Sequence, residues 1–205
     1  MKRVGLLGGA FDPPHEGHLK LAHLAWEHLA LDALRFLPAF VAPLKPSPTA
    51  PPAVRLEMLR QILADAPYEI EEVEMEREDG PSFTAATLEL LSKREPEARW
   101  VLVMGSDQAA NFPQWRSAGK ILGMASIAVA QRPWGLGRPE STLPNVLMAR
   151  LSKSWSGAPG EAILLPSTDL ELSSSAIKAQ LAKGEEPDGL PASVKTVIVQ
   201  NGIYR

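Results

Sequence analysis

Two histidines three residues apart, His15 and His18, stand in a short loop that could hold a phosphate group. The loop follows the apolar run Val4–Leu7 and begins with the pair Gly8-Gly9, which lets a ligand approach the backbone closely. If the turn after the loop is helical, both imidazoles share a face, and the helix start adds N–H donors and a positive dipole end. Two imidazoles beside a phosphate stabilise negative charge that develops on it.

Plainer interpretations of this loop stay open. His15 could cap the turn, and Gly17 could allow close helix packing. The loop matches neither the G-x-G-x-x-G dinucleotide fingerprint nor a Walker A loop. A metal site is not predicted, because no third ligand appears at a matching spacing. His23 and His28 are expected on an ordinary helix surface.

Apolar runs and helical spacings alternate along the chain, which predicts the elements that position this loop. Buried strands are predicted at Val4–Leu7, Arg35–Leu37, Trp100–Met104, Ser126–Ala130 and Ala162–Leu165, and a half-exposed strand at Glu69–Met75. Helices are predicted over 19–31, 54–64, 172–181 and 193–199, and from Ser82, as N-cap, through Leu91. The alternation predicts an α/β fold: an open parallel sheet with right-handed crossovers, which binds ligands beyond the carboxyl ends of its strands. The stretch Pro133–Gly160 is expected to be an irregular excursion.

Composition bounds the class of protein. The 205 residues are 45% hydrophobic and 22% charged, as in an ordinary globular domain, and this length predicts one domain. Cysteine is absent, which excludes disulfides, thiolate nucleophiles and cysteine-bound zinc. A net charge of −3 provides no global basic field for nucleic acid. The apolar run at the start is too short for a signal peptide, and no stretch is long enough for a membrane span, so a soluble, cytoplasmic protein is expected.

The first motif also carries a resemblance to a known family. Gly8 to His18 reads G-G-x-F-D-P-P-H-x-G-H and resembles the signature of bacterial nicotinate-nucleotide adenylyltransferases, members of the H-x-G-H nucleotidyltransferase superfamily. Further segments resemble the family in the same order along nearly the whole chain: Pro81–Leu88, Gly105–Asp107, Pro113–Trp115, Leu172–Lys178 and Leu190–Tyr204. Four positions depart from the usual pattern: Phe83 for tyrosine, Ala86 for aspartate, Ala118 for tryptophan and Lys178 for arginine. Lys178 keeps the positive charge but loses the bidentate fork.

The resemblance implies a fold, a reaction and a set of site residues. The fold is a Rossmann-like open parallel sheet with helices on both faces, of the nucleotidyltransferase α/β phosphodiesterase type, forming one domain over 1–205 with a small helical C-terminal part at 167–205. The reaction joins ATP and nicotinate mononucleotide into deamido-NAD and pyrophosphate, with Mg²⁺ carried by ATP and no metal held by the protein. The catalytic residues would be His15, His18 and Lys178. ATP would be bound by Gly8, Gly9, Phe11, His15, His18, Gly105, Asp107, Ser174, Ser175 and Lys178. Nicotinate mononucleotide would be bound by Ala10, Lys45, Phe83, Thr84 and Trp115.

Several of these residues have a plainer alternative. Ser174 and Ser175 could take phosphate oxygens or cap the following helix. Asp107 resembles the residue that holds the adenosine ribose, although a lone acid after a strand often forms a turn. Trp115 could stack on the pyridine or belong to the core. Lys45, in a proline-rich loop, could reach phosphate or stay solvated.

Other functions share parts of this pattern. Phosphopantetheine adenylyltransferases resemble the first motif, but they usually read T-x-G-H and are shorter. A fragment of a class I aminoacyl-tRNA synthetase would also pair H-x-G-H with a late lysine, although this chain lacks a basic face for tRNA. A non-catalytic nucleotide-binding regulator would not need His15, His18 and Lys178 together. We expect no nucleic acid or membrane partner, and either a monomer or a homo-oligomer.

Overall fold

A six-stranded parallel sheet is the central element of the fold. The computed structural model describes residues 1–44, 47–76, 80–131, 143–167 and 172–205. Strands occupy β1 Lys2–Gly9, β2 Ala33–Pro38, β3 Glu69–Ile70, β4 Ala98–Gly105, β5 Ala125–Gln131 and β6 Ala162–Ser167. Their order in the sheet is β3-β2-β1-β4-β5-β6, with parallel pairing of β1 to β4, β4 to β5 and β5 to β6. The expected α/β class and strands at the five predicted positions are confirmed, although β6 is only partly buried.

Helices follow the strands in alternation. They are α1 Glu16–Leu29, α2 Pro52–Ile62, α3 Thr84–Arg94, α4 Ser106–Asn111, α5 Ala118–Met124, α6 Asn145–Met148, α7 Ser174–Leu181 and α8 Ala192–Asn201. A 3-10 turn, Phe112–Gln114, lies between α4 and α5. Within the described ranges, no helix is long and apolar enough to cross a membrane. The cytoplasmic location stays a prediction.

The chain divides into two compact units, of which the first consists of Met1–Gly8, Leu21–Arg35 and Phe83–Leu170. Its core is built on the central strands, where Trp100 of β4 is almost fully buried. The Arg35 guanidinium lies 5.8 Å from the centre of the Trp100 ring and donates two hydrogen bonds, of 2.5 and 3.1 Å, to the Glu95 carboxylate. The two parallel hydrogen bonds pair the charge of the mostly buried Arg35, because a guanidinium can bind both oxygens of one carboxylate.

The second unit consists of Gly9–Lys20, Phe36–Ser82 and Glu171–Arg205. Helices α2 and α8 pack against each other in it. The spacing of the buried residues on α2, which are Arg55, Met58, Leu59 and Ile62, forms one helical face. This unit contains the loop with the two histidines and also Lys178, so the geometry of those residues is described within it.

Two predictions about elements are wrong. The strand expected at Glu69–Met75 stops at Ile70, and the chain turns at 72–76, where the N–H groups of Met75 and Glu76 donate to the Glu72 carbonyl. Ser82 does not cap α3, because its Oγ accepts a hydrogen bond from the Phe40 N–H at 3.0 Å. The N-cap is Phe83, which makes no side-chain capping bond. Part of the excursion expected at Pro133–Gly160 is the short α6, and residues 132–142 lie outside the described ranges.

Candidate active site

His15 and His18 lie side by side at the start of α1. Their ring centroids are 3.9 Å apart, and the His15 N–H donates a hydrogen bond of 3.2 Å to His18 Nδ1. The His18 N–H in turn donates to the His15 carbonyl at 2.9 Å. A turn of helix therefore places both imidazoles on one face, as the spacing predicts. His23 and His28 lie exposed farther along α1, which is also as expected.

Two small residues make room for this arrangement. A Cβ added at Gly17 would lie 2.9 Å from His15 Nδ1, so only glycine lets the His15 ring pack at this distance. A Cβ added at Gly9 would lie 3.1 Å from the Phe11 ring. That ring is buried and meets His18 edge-on at a centroid distance of 4.9 Å. Phe11 thus supports His18 from the interior of the second unit.

The carboxylate of Asp12, in the middle of the motif, is the hub of a buried hydrogen-bond network. Its Oδ1 accepts from the Ala50 N–H at 2.9 Å and from the Tyr204 hydroxyl at 2.6 Å. Its Oδ2 accepts from the Thr49 N–H at 2.9 Å and from Lys178 Nζ at 2.7 Å. A carboxylate has about four lone-pair sites, so these four donors saturate Asp12.

The ionisation of this network follows from its contacts. Burial raises the pKa of the Asp12 carboxyl, but the hydrogen bonds from Lys178, Tyr204 and the two backbone N–H groups outweigh it, so the pKa lies below its usual value. Burial and the bond to Asp12 raise the pKa of Tyr204, whose hydroxyl is therefore a donor at neutral pH. Asp12 is thus an anion held by a cation and a neutral donor.

Helix α7 docks on the motif loop through two of its side chains. Ser174 Oγ donates to the Pro13 carbonyl at 2.9 Å, and Lys178, one turn later, reaches Asp12. The residue that caps α7 is Ser173, whose Oγ accepts from the Ala176 N–H at 3.2 Å. The alternative that Ser174 and Ser175 cap this helix is therefore wrong, since both lie inside its first turn. Ser175 is exposed.

Arg55 of α2 ties together the backbone around the motif. Its Nη1 donates to the carbonyls of Ala10 and Ala39 at 2.8 and 2.7 Å, and its Nη2 donates to the Phe40 carbonyl at 2.9 Å. Burial lowers the pKa of the guanidinium, and the negative charge of Asp12 opposes that effect. Arg55 is a structural cation that holds Ala10 and the chain after β2 in place.

A second group of predicted site residues lies in the first unit, at the carboxyl end of β4. Asp107 is not in a loop but in the first turn of α4, where it is exposed. A Cβ added at Gly105 would lie 2.7 Å from Asp107 Oδ1, so glycine lets this carboxylate fold back against the end of the strand. Gly8, at the end of β1 in the same unit, has open space where a Cβ would point.

The residues predicted to meet the pyridine ring are also found in this unit. Phe83 and Thr84 form the start of α3 and are half-buried. The Arg116 guanidinium lies 4.6 Å from the centre of the Phe83 ring. Trp115 is half-buried: its ring lies 5.5 Å from the Phe112 ring, centroid to centroid, and part of the residue is exposed.

Two expectations remain, the one for Lys45 and the one for a metal site. Lys45 lies outside the described residues. Among the residues that are described, no group of three or more His, Cys, Asp or Glu is placed to hold a metal ion.

Sequence reasoning missed three residues of the site: Asp12, Arg55 and Tyr204. Asp12 and Tyr204 stand inside motifs that carry the resemblance, but their residue types alone do not indicate the contact between them. Arg55 had a usable signal, because it shares a helical face with apolar residues. A charged residue on such a face is buried only when its charge is paired or hydrogen-bonded.

A parallel sheet whose first strand leads into an H-x-G-H turn, with a lysine-bearing helix docked on that turn, is the arrangement expected of a nucleotidyltransferase, and the relatives of the chain belong to that class. The chain belongs to the cytidylyltransferase-like family, which its residues 6–180 match. Within it, full-length relatives are named "Probable nicotinate-nucleotide adenylyltransferase". One from Bordetella petrii is 37% identical over 209 residues, covering 100% of both chains. Another from Hydrogenovibrio crunogenus is 34% identical over 204 residues, covering 98% of this chain and 97% of the relative.

A comparison of folds also finds a nicotinic acid mononucleotide adenylyltransferase. The nicotinic acid mononucleotide adenylyltransferase of Plasmodium falciparum, solved as a complex with NaAD, matches with a TM-score of 0.76. The match covers 100% of this chain and 98% of the other at 16% identity, so it shows the fold alone. The resemblance seen in the sequence to nicotinate-nucleotide adenylyltransferases is confirmed by the relatives.

Proposed function

We propose that this enzyme transfers the adenylyl group of ATP to nicotinate mononucleotide by direct in-line attack, without a covalent intermediate, giving deamido-NAD and pyrophosphate. The reaction is the one that the names of its full-length relatives carry. One observation supports it best: Ser174 and Lys178 of α7 bind the same loop that presents His15 and His18. That arrangement gathers cationic and N–H donor groups, which suit phosphates, around one turn of helix.

The proposed chemistry needs no general base. The attacking group is a phosphate monoester whose second pKa is about 6, so it is largely a dianion at neutral pH. What the reaction requires is alignment of the two substrates and positive charge around the α-phosphorus. Lys178 is proposed to supply positive charge there, and His15 and His18 are proposed to stabilise the charge that develops on the phosphate. Ser175 and the backbone N–H of Ser174, whose hydroxyl donates to Pro13, are proposed to donate hydrogen bonds to the outer phosphates. Phe11 is proposed to act through His18, because its ring is buried behind that imidazole.

The remaining assignments are proposed residue by residue. Gly8, Gly9 and Gly105 would let ATP approach the backbone, and Asp107 would accept hydrogen bonds from the ribose. Phe83 and Thr84 would meet the pyridine substituent, Trp115 would stack on the ring, and Ala10 and Lys45 would complete the mononucleotide site. These roles follow the family resemblance, and the half-buried positions of Phe83, Thr84 and Trp115 are compatible with them.

Magnesium is proposed to arrive bound to the triphosphate. When bound, the ion neutralises negative charge on the phosphates. The residues around the H-x-G-H turn fit this role for the ion, because imidazole, ammonium and N–H groups meet phosphate oxygens rather than a hard cation.

We further propose that residues 1–205 work as a single domain with 167–205 as its helical C-terminal part. We expect the protein to act in the cytoplasm, as a monomer or homo-oligomer, without nucleic acid or membrane partners.

A panel of acceptors tests the function. The protein would be mixed with ATP, Mg²⁺ and, in turn, nicotinate mononucleotide, nicotinamide mononucleotide, phosphopantetheine, single amino acids or no acceptor, and pyrophosphate would be measured. We expect release that depends on nicotinate mononucleotide. Release with phosphopantetheine or an amino acid alone would indicate another acceptor, and ATP binding without turnover would indicate a regulator.

A further inference from the structure

Tyr204 is held beyond α8 in a conformation that a bulky side chain rarely adopts. Its φ is 61°, in the left-handed region, and it follows Gly202, the left-handed cap of α8. The Ile203 N–H is bonded back to the Ile198 carbonyl, so the segment is tied to the helix that it leaves. The left-handed residue brings the phenol into the interior, where Tyr204 is buried and its hydroxyl donates to Asp12.

The Tyr204 hydroxyl adds a further donor to a carboxylate that backbone N–H groups already bind. The two backbone N–H groups at 49 and 50 already hold one lone pair on each oxygen of Asp12. The Tyr204 hydroxyl takes the second position on Oδ1, and Lys178 takes the second position on Oδ2. These donors fix the plane of the Asp12 carboxylate. They thereby also fix the position on Oδ2 at which the Lys178 ammonium binds.

Lys178 is held at its tip by neighbours from several segments. Besides Asp12, its Nζ lies 3.4 Å from Thr49 Oγ1 and 5.9 Å from the centre of the Tyr204 ring. The side chain is 29% exposed, so the ammonium keeps an open face although its partner carboxylate is almost fully buried. Tyr204 therefore contacts Lys178 in two ways, through its ring face and through the Asp12 carboxylate.

We propose that Tyr204 is a positioning residue for adenylyl transfer: its hydroxyl orients the Asp12 carboxylate, which in turn presents the Lys178 ammonium to the phosphates of ATP. The inference rests on the proposed function, in which Lys178 meets ATP. Tyr204 acts through Lys178 and does not itself touch substrate. Its removal should therefore affect ATP more than nicotinate mononucleotide, and only while Lys178 is present.

The test compares wild type, Tyr204→Phe, Lys178→Ala and the double variant. Tyr204→Phe keeps the ring and removes only the hydroxyl. Tyr68→Phe is the matched control, since Tyr68 is the other tyrosine of the chain. ATP affinity is measured by calorimetry without acceptor, KM for each substrate by pyrophosphate release, and folding by thermal unfolding, with all assays run below the lowest unfolding midpoint.

We expect Tyr204→Phe to weaken ATP binding by about tenfold, because a charge-assisted hydrogen bond is lost from the group that aims Lys178. KM for nicotinate mononucleotide should stay within about twofold, and Tyr68→Phe should stay within about twofold for both substrates. Lys178→Ala should also weaken ATP binding, and adding Tyr204→Phe to it should change the affinity by less than about twofold further.

Other results would contradict the proposed role of Tyr204 or the proposed reaction. An equal loss for both substrates, or a full tenfold effect of Tyr204→Phe in the Lys178→Ala background, would show that the hydroxyl does not act through Lys178. Unchanged ATP affinity in Lys178→Ala would remove the group that Tyr204 is proposed to position, while leaving the reaction itself standing. If wild type binds ATP but does not transfer to nicotinate mononucleotide, the proposed function fails, and the calorimetric comparison still decides the role of Tyr204.

Discussion

The hydrogen bond from the His15 N–H to His18 Nδ1 determines where the proton of His18 lies. A ring nitrogen that accepts a hydrogen bond carries no proton, so the neutral ring carries its proton on Nε2. His18 can therefore donate from Nε2 to a phosphate oxygen without first changing tautomer. His15 contributes its backbone to this arrangement, and Gly17 contributes the space for the His15 ring.

His18→Ala is expected to lower kcat by about 10²-fold while ATP affinity stays within a few-fold, because a contact made mainly in the transition state is lost. Steady-state kinetics and calorimetry with ATP measure the two effects. His23→Ala, on the exposed part of the same helix and paired only with Glu27 in the contacts described, is the control and should keep wild-type turnover. A His18 variant with more than half of wild-type kcat would remove this side chain from the mechanism.

The carboxylate of Asp12 predicts a pH dependence of stability. Its folded-state pKa lies below that of the unfolded chain, about 3.9, so its contribution is complete above that value and is lost as pH falls through the folded pKa. Urea unfolding of wild type and Asp12→Asn should therefore show a difference that is constant at about pH 5 and above and that shrinks on acidification. A difference that stays constant down to about pH 2, or grows there, would contradict the ionised network.

At the scale of elements, the starts of α3 and α7 differ in a way that matters for ligands. The Ser173 side chain caps α7, whereas Phe83 at the start of α3 makes no side-chain capping bond. Ser82, the residue expected to cap α3, is engaged with Phe40 instead. The Arg116 guanidinium over the Phe83 ring adds positive charge at the same place. The start of α3 thus offers donors and a cation, which suit a carboxylate better than an amide.

The donors and the cation at the start of α3 predict that the enzyme prefers the acid mononucleotide to the amide mononucleotide. Because a buried amide NH₂ facing donors stays unpaired, kcat/KM should favour nicotinate over nicotinamide mononucleotide by about 10²-fold or more. Thr84→Ala should reduce the preference only in part, since backbone N–H groups are proposed to supply most of the recognition. Equal kcat/KM values for the two would instead mark a dual-specificity enzyme, which would agree with the departures at Phe83 and Ala86.

At the scale of the whole molecule, Arg55 joins segments that are far apart in the chain. It satisfies the carbonyls of Ala10, Ala39 and Phe40 from helix α2, all within the second unit. Removing a buried donor leaves each of its acceptors without a partner, and each of these costs about 1–3 kcal/mol. The loop that begins the H-x-G-H motif is therefore stabilised from a helix more than forty residues later.

Arg55→Ala is expected to lower the free energy of unfolding by about 3 kcal/mol or more, because three carbonyls and the cavity are left behind. Arg60→Ala is the matched control on the same helix: Arg60 is exposed and pairs with Glu72, and such a pair contributes less than about 1 kcal/mol. Urea unfolding of both variants checks this. Equal losses for the two would show that the Arg55 contacts contribute no more than a surface pair.

The sequence by itself determined the order of the strands, five of the eight helices that the structure describes, and the main functional motif. Apolar runs such as Val4–Leu7 and Trp100–Met104 are long enough to predict buried strands, because hydrophobic burial depends on residue type more than on context. The three-residue spacing of His15 and His18 predicts their shared face, because helical geometry is local. The same motif, with its collinear companions, was specific enough to indicate the family.

Only the tertiary structure decided which polar groups meet. Asp12, Lys178 and Tyr204 are separated by up to 192 positions, and nothing local in their segments shows that one carboxylate takes donors from both of the others. Ser82 has the residue type of a helix cap, but a distant N–H takes its oxygen. The strand expected at Glu69–Met75 ends at Ile70, and Met75 lies in a turn, where its Sδ is 3.9 Å from Arg55 Nη2. Hydrogen-bond partners over such separations depend on how the elements pack, which local propensity does not encode.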